Sequence, residues 1–142
     1  MSSVTVSGTI EAETEEILAA IKAQLPSRAY RGANELKNSA MDILGGQGSG
    51  RTYRVPGTSR SYTASAPGEV PAKRTGNFRI KWKPRSFGGG TTFTSRIENN
   101  VKYAYWLENG TPGGQMAPRP HHEKIQKHAL PKIVRIYDEP YV

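Results

Sequence analysis

From the N-terminus, Val4, Thr5 and Val6 have the extended rhythm of a short strand or arm, and the period then turns helical. Ile10, Thr14, Ile17, Leu18, Ile21 and Leu25 fall on one stripe, with Glu11 and Glu13 near the positive end of the helix dipole, so a helix is predicted from about Ile10. Pro26 removes a backbone donor and crowds the preceding turn, which predicts a break or kink. The apolar phase nevertheless continues through Ala29, Ala33, Leu36, Ala40 and Ile43. A helical segment in two pieces along one surface is therefore expected, with Gly45 and Gly46 at its C-cap.

The pattern then fades. Twelve of the 24 residues from Gly45 to Gly68 are Gly, Pro or Ser, and no period is sustained, which predicts a long loop. That stretch still carries Tyr53, Val55 and Tyr62 beside Arg51, Arg54 and Arg60, a mixture suited to an arm, at about residues 45–76, that orders against a partner. Beyond it Phe78, Ile80 and Trp82 alternate with Arg79, Lys81 and Lys83, predicting a strand with one apolar and one basic face. Gly88, Gly89 and Gly90 permit a turn, and Thr91 to Ile97 reads as the returning strand, with Phe93, Ser95 and Ile97 on one face. Val101 to Leu107 predicts a short helix or turn closing at Gly110. From Pro120, Ile125, Ala129, Ile133 and Ile136 mark a last helical stripe, interrupted at Pro131. The whole is a small α+β domain: helical segment, long loop, small antiparallel sheet, short helix and C-terminal helix.

Composition narrows this reading. The 142 residues suit a single domain, and a hydrophobic fraction of 35% is lean for one that stands alone. Without cysteine there is no disulfide scaffold, Cys-based zinc site or thiol chemistry. The longest apolar run, Ile17 to Ile21, is short for a membrane span or signal peptide, so a soluble, untargeted, cytoplasmically made chain is expected. The net charge of +8 is uneven: −2 over residues 1–46, +9 over 47–97 and +1 over 98–142. The predicted basic face, Arg79, Lys81 and Lys83 with Arg85 nearby, suits phosphates or an acidic protein surface.

Candidate chemistry is sparse. Gly45 to Thr52 nearly matches a phosphate-binding loop, but Arg51 replaces its lysine and a helix, not a strand, leads in. His121 and His128 share a helical face about 10 Å apart, too far for one metal, so no metal or other cofactor is expected and the histidines read as polar surface. No nucleophile elbow or framed carboxylate pair is present, so no catalytic residues and no enzyme are expected. Glu108 and Arg119 flank a Gly-rich turn and are expected to pair across it.

Tyr103-Ala104-Tyr105-Trp106-Leu107-Glu108-Asn109-Gly110-Thr111, followed by Met116-Ala117-Pro118-Arg119-Pro120, resembles a motif of the tail-completion, or head-to-tail joining, proteins of tailed-bacteriophage necks, often labelled minor tail components. Upstream, Ser65 to Ala72 closing on Thr75-Gly76-Asn77-Phe78-Arg79 is similar to that family's loop, Thr-Gly and first strand. The similarity runs from about Ser65 to Ala129. The chain departs from the pattern at His121-His122, where the family has an aromatic and an aliphatic residue, and at Lys73-Arg74, where it often has an acid.

The resemblance implies a virion subunit, made in the host cytoplasm, that forms a ring of six between head connector or head-closure protein and tail tube, around a DNA channel. Thr75, Gly76, Tyr103, Glu108, Gly110, Thr111, Arg119 and Pro120 would be its structural motif residues. Charge asymmetry adds candidate interface residues: Glu11, Glu13, Glu15 and Glu16 of one subunit against Arg79, Lys81, Lys83 and Arg85 of the next, with the arm residues Arg51, Tyr53, Arg54, Arg60 and Tyr62. A free nucleic-acid-binding module or a head-closure or minor capsid protein is the alternative.

Overall fold

The computed structural model describes residues 2–9, 14–46, 48–54, 57, 59–72, 77–114 and 116–141. Ten elements follow in order, nine of them labelled here: β1 (Ser2–Thr9), α1 (Glu15–Ile43), β2 (Thr52–Arg54), β3 (Ser61–Thr63), α2 (Asn77–Ile80), β4 (Lys83–Gly89), β5 (Thr92–Asn99), α3 (Ala104–Asn109), a short 3-10 turn (Pro112–Gly114) and α4 (His122–Asp138). β5 runs between β1 and β4 in an antiparallel sheet, with Val4 opposite Ile97 and Arg85 opposite Arg96. One face of this sheet is covered by α1, which lies against β4, β5 and α4, while α4 also reaches β1. The chain is an α+β fold with two layers.

The core forms where the predicted stripes meet: Leu36, Ala40 and Leu44 of α1 and the residue after it, Val4, Ile97, Trp82, and Ile125, Ala129 and Ile133 of α4. Small residues set the helix spacing. A Cβ on Gly32 would stand 2.8 Å from Ser95 Oγ, and that hydroxyl donates to the Ala29 carbonyl at 2.8 Å, tying β5 to α1.

Several expectations need correction. The helix does not break at Pro26: α1 runs unbroken for 29 residues, its ring turned to the exposed side. Pro removes one ladder bond, and the continuous buried stripe from Ile21 to Ala40 outweighs that loss. The helix opens at Glu15 with Thr14 Oγ1 accepting from Ile17 N, and Ile10 lies outside the described residues. At the other end Leu44, not a glycine, is the cap, and neither Gly45 nor Gly46 has a positive φ.

Likewise α4 passes through Pro131 unbroken, and it starts at His122 rather than Pro120. The stretch expected as a loop contains a small hairpin, β2 with β3. Finally, Asn77–Ile80 is a helical turn, and the strand begins only at Lys83. The alternation of Phe78, Ile80 and Trp82 is real in the sequence, but the buried Asn99 side chain fixes the Phe78 carbonyl at 2.9 Å, and Trp82 drops into the core between helix and strand.

Candidate functional site

The basic residues do not share a face. Arg79 points back to α1, where its Nε donates to the Met41 carbonyl at 2.7 Å. The last turn of α1 carries no cation of its own, and Arg79 supplies one to its negative end. Lys81 is exposed in the link to β4. Lys83 and Arg85 do share the outer face of the sheet, together with Arg96. Arg85 and Arg96 converge on Glu98 at 3.2 and 3.8 Å, and Arg96 also donates to Thr5 Oγ1, so this face is a mixed polar ladder rather than a bare cationic track.

The arm is anchored at its base. Gly48 and Gly50 donate to the Thr63 and Ala64 carbonyls, and Glu69 accepts from Ser49 N, Ser49 Oγ and Ala66 N. Those glycine amides are thereby committed to the chain and do not form a phosphate cradle. Arg51, Tyr53, Arg54 and Arg60 are exposed on the hairpin, with the Arg51 guanidinium 5.3 Å from the Tyr53 ring centre. Tyr62 sits in β3. Glu15 and Glu16 are exposed at the start of α1, whereas Glu11, Glu13, Thr75 and Gly76 lie outside the described residues.

The segment from α3 to α4 is densely hydrogen-bonded. The loop closes on itself, with Thr111 N donating to Met116 O and Met116 N to Thr111 Oγ1. Gly110 is required at its entry: its φ is +78° and a Cβ would meet Met116 O at 2.9 Å. Arg119 N donates to the Leu107 carbonyl at 2.6 Å, binding the end of the loop to α3, and Pro120 precedes the cap residue His121.

The expected Glu108–Arg119 pair does not form among the described residues. Arg119 instead bonds Ser65 Oγ at 2.9 Å and the Ala117 carbonyl at 2.8 Å, locking the upstream loop to this one. Glu108 Oε2 accepts from His121 N at 2.7 Å and His122 N at 3.3 Å. His121 makes no side-chain cap, so a carboxylate from α3 does that work for α4.

The same carboxylate gathers both imidazoles. His121 Nδ1 is 3.0 Å from Glu108 Oε2, and His122 Nδ1 is 3.9 Å from Oε1. One ligand atom from each of the three residues lies within 4.8 Å of the others, which makes them the candidate metal-holding group. His121 is not surface: it is 0% exposed, packed against Phe78 and Trp82, and burial pushes its imidazole pKa down. Half-buried His122 is pushed down for the same reason, and its Nε2 is hydrogen-bonded to Ser2 Oγ. Sequence spacing paired His121 with the wrong partner, because adjacent residues converge here on an acid 13 positions upstream. His128 stands apart, bonded to Ser39 Oγ.

Beside this cluster α3 and the residue that caps it hold out three aromatic rings: Tyr103 is 43% exposed, Tyr105 54% and Trp106 38%. No described helix is long and apolar enough to cross a membrane. Comparisons with family models, with curated proteins and with solved structures find no match for this chain.

Proposed function

We propose that the chain is a structural subunit of a tailed-bacteriophage neck, assembling into a ring, of six by the resemblance, that joins head connector to tail tube around the DNA channel. The observation that carries this reading is the exposed aromatic ledge of α3. Tyr103, Tyr105 and Trp106 belong to the block that resembles the tail-completion family, and each is left partly open by the chain's own core. Large aromatic rings beside a rigid, hydrogen-bonded loop are characteristic anchors of protein interfaces. The lean hydrophobic content fits a subunit completed by its neighbours, and the acidic start of α1 and the cationic arm give unlike surfaces for a head-to-tail contact.

Light scattering and native mass spectrometry on the purified chain test this. A closed oligomer that fills with rising concentration is expected, and Trp106→Glu should abolish it while leaving the circular dichroism unchanged. A chain that stays monomeric at every concentration would refute it. The charge of +9 over residues 47–97 favours a second reading, a free nucleic-acid-binding module. That reading requires the monomer to bind duplex DNA with an affinity falling steeply on a log–log plot against salt.

A further inference from the structure

We propose that Glu108, His121 and His122 form a binding site for one divalent cation of the zinc class, fastening α3 to the start of α4. The inference is independent of the ring. Two imidazoles and one carboxylate are the donor set that first-row divalent cations favour. The spacing is close to what an ion needs. With ligands at roughly 2.1 Å, neighbouring donors lie about 3.0 Å apart around an octahedral ion and about 3.4 Å around a tetrahedral one. His121 Nδ1 stands 3.0 Å from Glu108 Oε2 and 2.9 Å from the Arg119 carbonyl, which adds a fourth oxygen or nitrogen donor to the set. The 3.9 Å gap between His122 Nδ1 and Oε1 is wider, and closing it requires only movement of His122, the more exposed of the two rings.

The surroundings also behave as a support shell. Glu108 is oriented by two backbone amides, and His122 uses its remote nitrogen on Ser2 Oγ, the arrangement that fixes a metal-binding imidazole. His121 is wholly buried against Phe78 and Trp82 and turns Nδ1 to both the Glu108 carboxylate and the Arg119 carbonyl, so this donor atom is already held at the site. A cation at Nδ1 would displace the proton that this nitrogen shares with those oxygens.

The test titrates Zn2+ into the native chain, using calorimetry for stoichiometry and imidazole NMR signals to locate the ion. One ion per chain is expected, shifting His121 and His122 resonances and leaving His128 still. At 100-fold excess over Kd the melting temperature should rise by roughly 5–10 °C. Glu108→Gln and His122→Ala, which leave the buried His121 in place, should each weaken binding about 10- to 100-fold, and His128→Ala should not weaken it. Absence of Zn2+ binding in the native chain overturns the proposal. So does binding that shifts His128 instead, or that both cluster variants retain unchanged.

Discussion

The two ends of α4 are held in opposite ways. At the C-terminal end Arg28, reaching across from α1 and only 5% exposed, donates to the carbonyls of Ile136, Glu139 and Pro140 at 3.0, 2.6 and 2.9 Å. It also bonds Gln24 Oε1 and lies 3.6 Å over the Tyr141 ring. Both terminal nitrogens of its fork are engaged, on the Ile136 carbonyl in the last turn and on two carbonyls just beyond the helix. At the N-terminal end the Glu108 carboxylate satisfies two amides, and buried side-chain atoms without a partner occur at both ends, His121 Nε2 and Trp82 Nε1 here and the Tyr141 hydroxyl there. The difference is one of sign: a buried cation gathers carbonyls at the negative end of α4, and a carboxylate gathers amides at its positive end.

Removing the guanidinium is the strongest way to break this contrast. Arg28→Ala strands several carbonyls in the interior and should destabilise the fold by about 3 kcal/mol or more, seen as a lower midpoint in urea unfolding. A loss under about 1 kcal/mol would show that the C-terminal cage is dispensable. Glu108→Ala removes only a surrogate cap, with a smaller expected cost of about 1–2 kcal/mol in metal-free buffer. The two ends of a 17-residue helix are about 25 Å apart, so the double variant should lose the sum of the two within about 0.5 kcal/mol.

Much of the frame was legible in the sequence because it rests on periodicity. The stripe of α1 from Ile21 onward, that of α4, the strand carrying Phe93, Ser95 and Ile97, and the helix closing at Gly110 appear where the apolar rhythm puts them, whereas Ile17 of the predicted stripe is exposed. The errors lie where tertiary bonds override local rules. Pro26 and Pro131 break helices by propensity, and each is carried by a stripe that packs on both sides of it. Phe78 to Trp82 alternates like a strand, yet its backbone is captured by Asn99.

The candidate site was harder still. Arg28 reads as one charge among many on an amphipathic helix, and nothing local shows that the carbonyls it caps lie more than 100 residues away. Glu108 and Arg119 do flank one loop, but the expected pair between them does not form, because the acid turns to backbone amides and the base to Ser65. The one available signal was the pair His121-His122 standing where the resembling family has apolar residues.

Glu69 sharpens the comparison from a third position, because it collects amides as Glu108 does but at the base of the arm. Its carboxylate accepts from Ser49 N at 3.0 Å and Ala66 N at 2.6 Å, and these bonds to the charged form hold its pKa below the ordinary glutamate value. A carboxyl whose folded-state pKa is depressed contributes stability above its unfolded-state pKa, and that contribution is lost as pH falls through the folded-state value. The base of the arm should therefore be tight at neutral pH and loosen in acid, just below the range where ordinary glutamates protonate. Amide exchange at Ser49 and Ala66, corrected for its intrinsic pH dependence, should speed up there while the β1 and β5 amides stay protected. Glu69→Gln should show the faster exchange at neutral pH and lose the acid step. If the step persists in that variant, another group holds the arm.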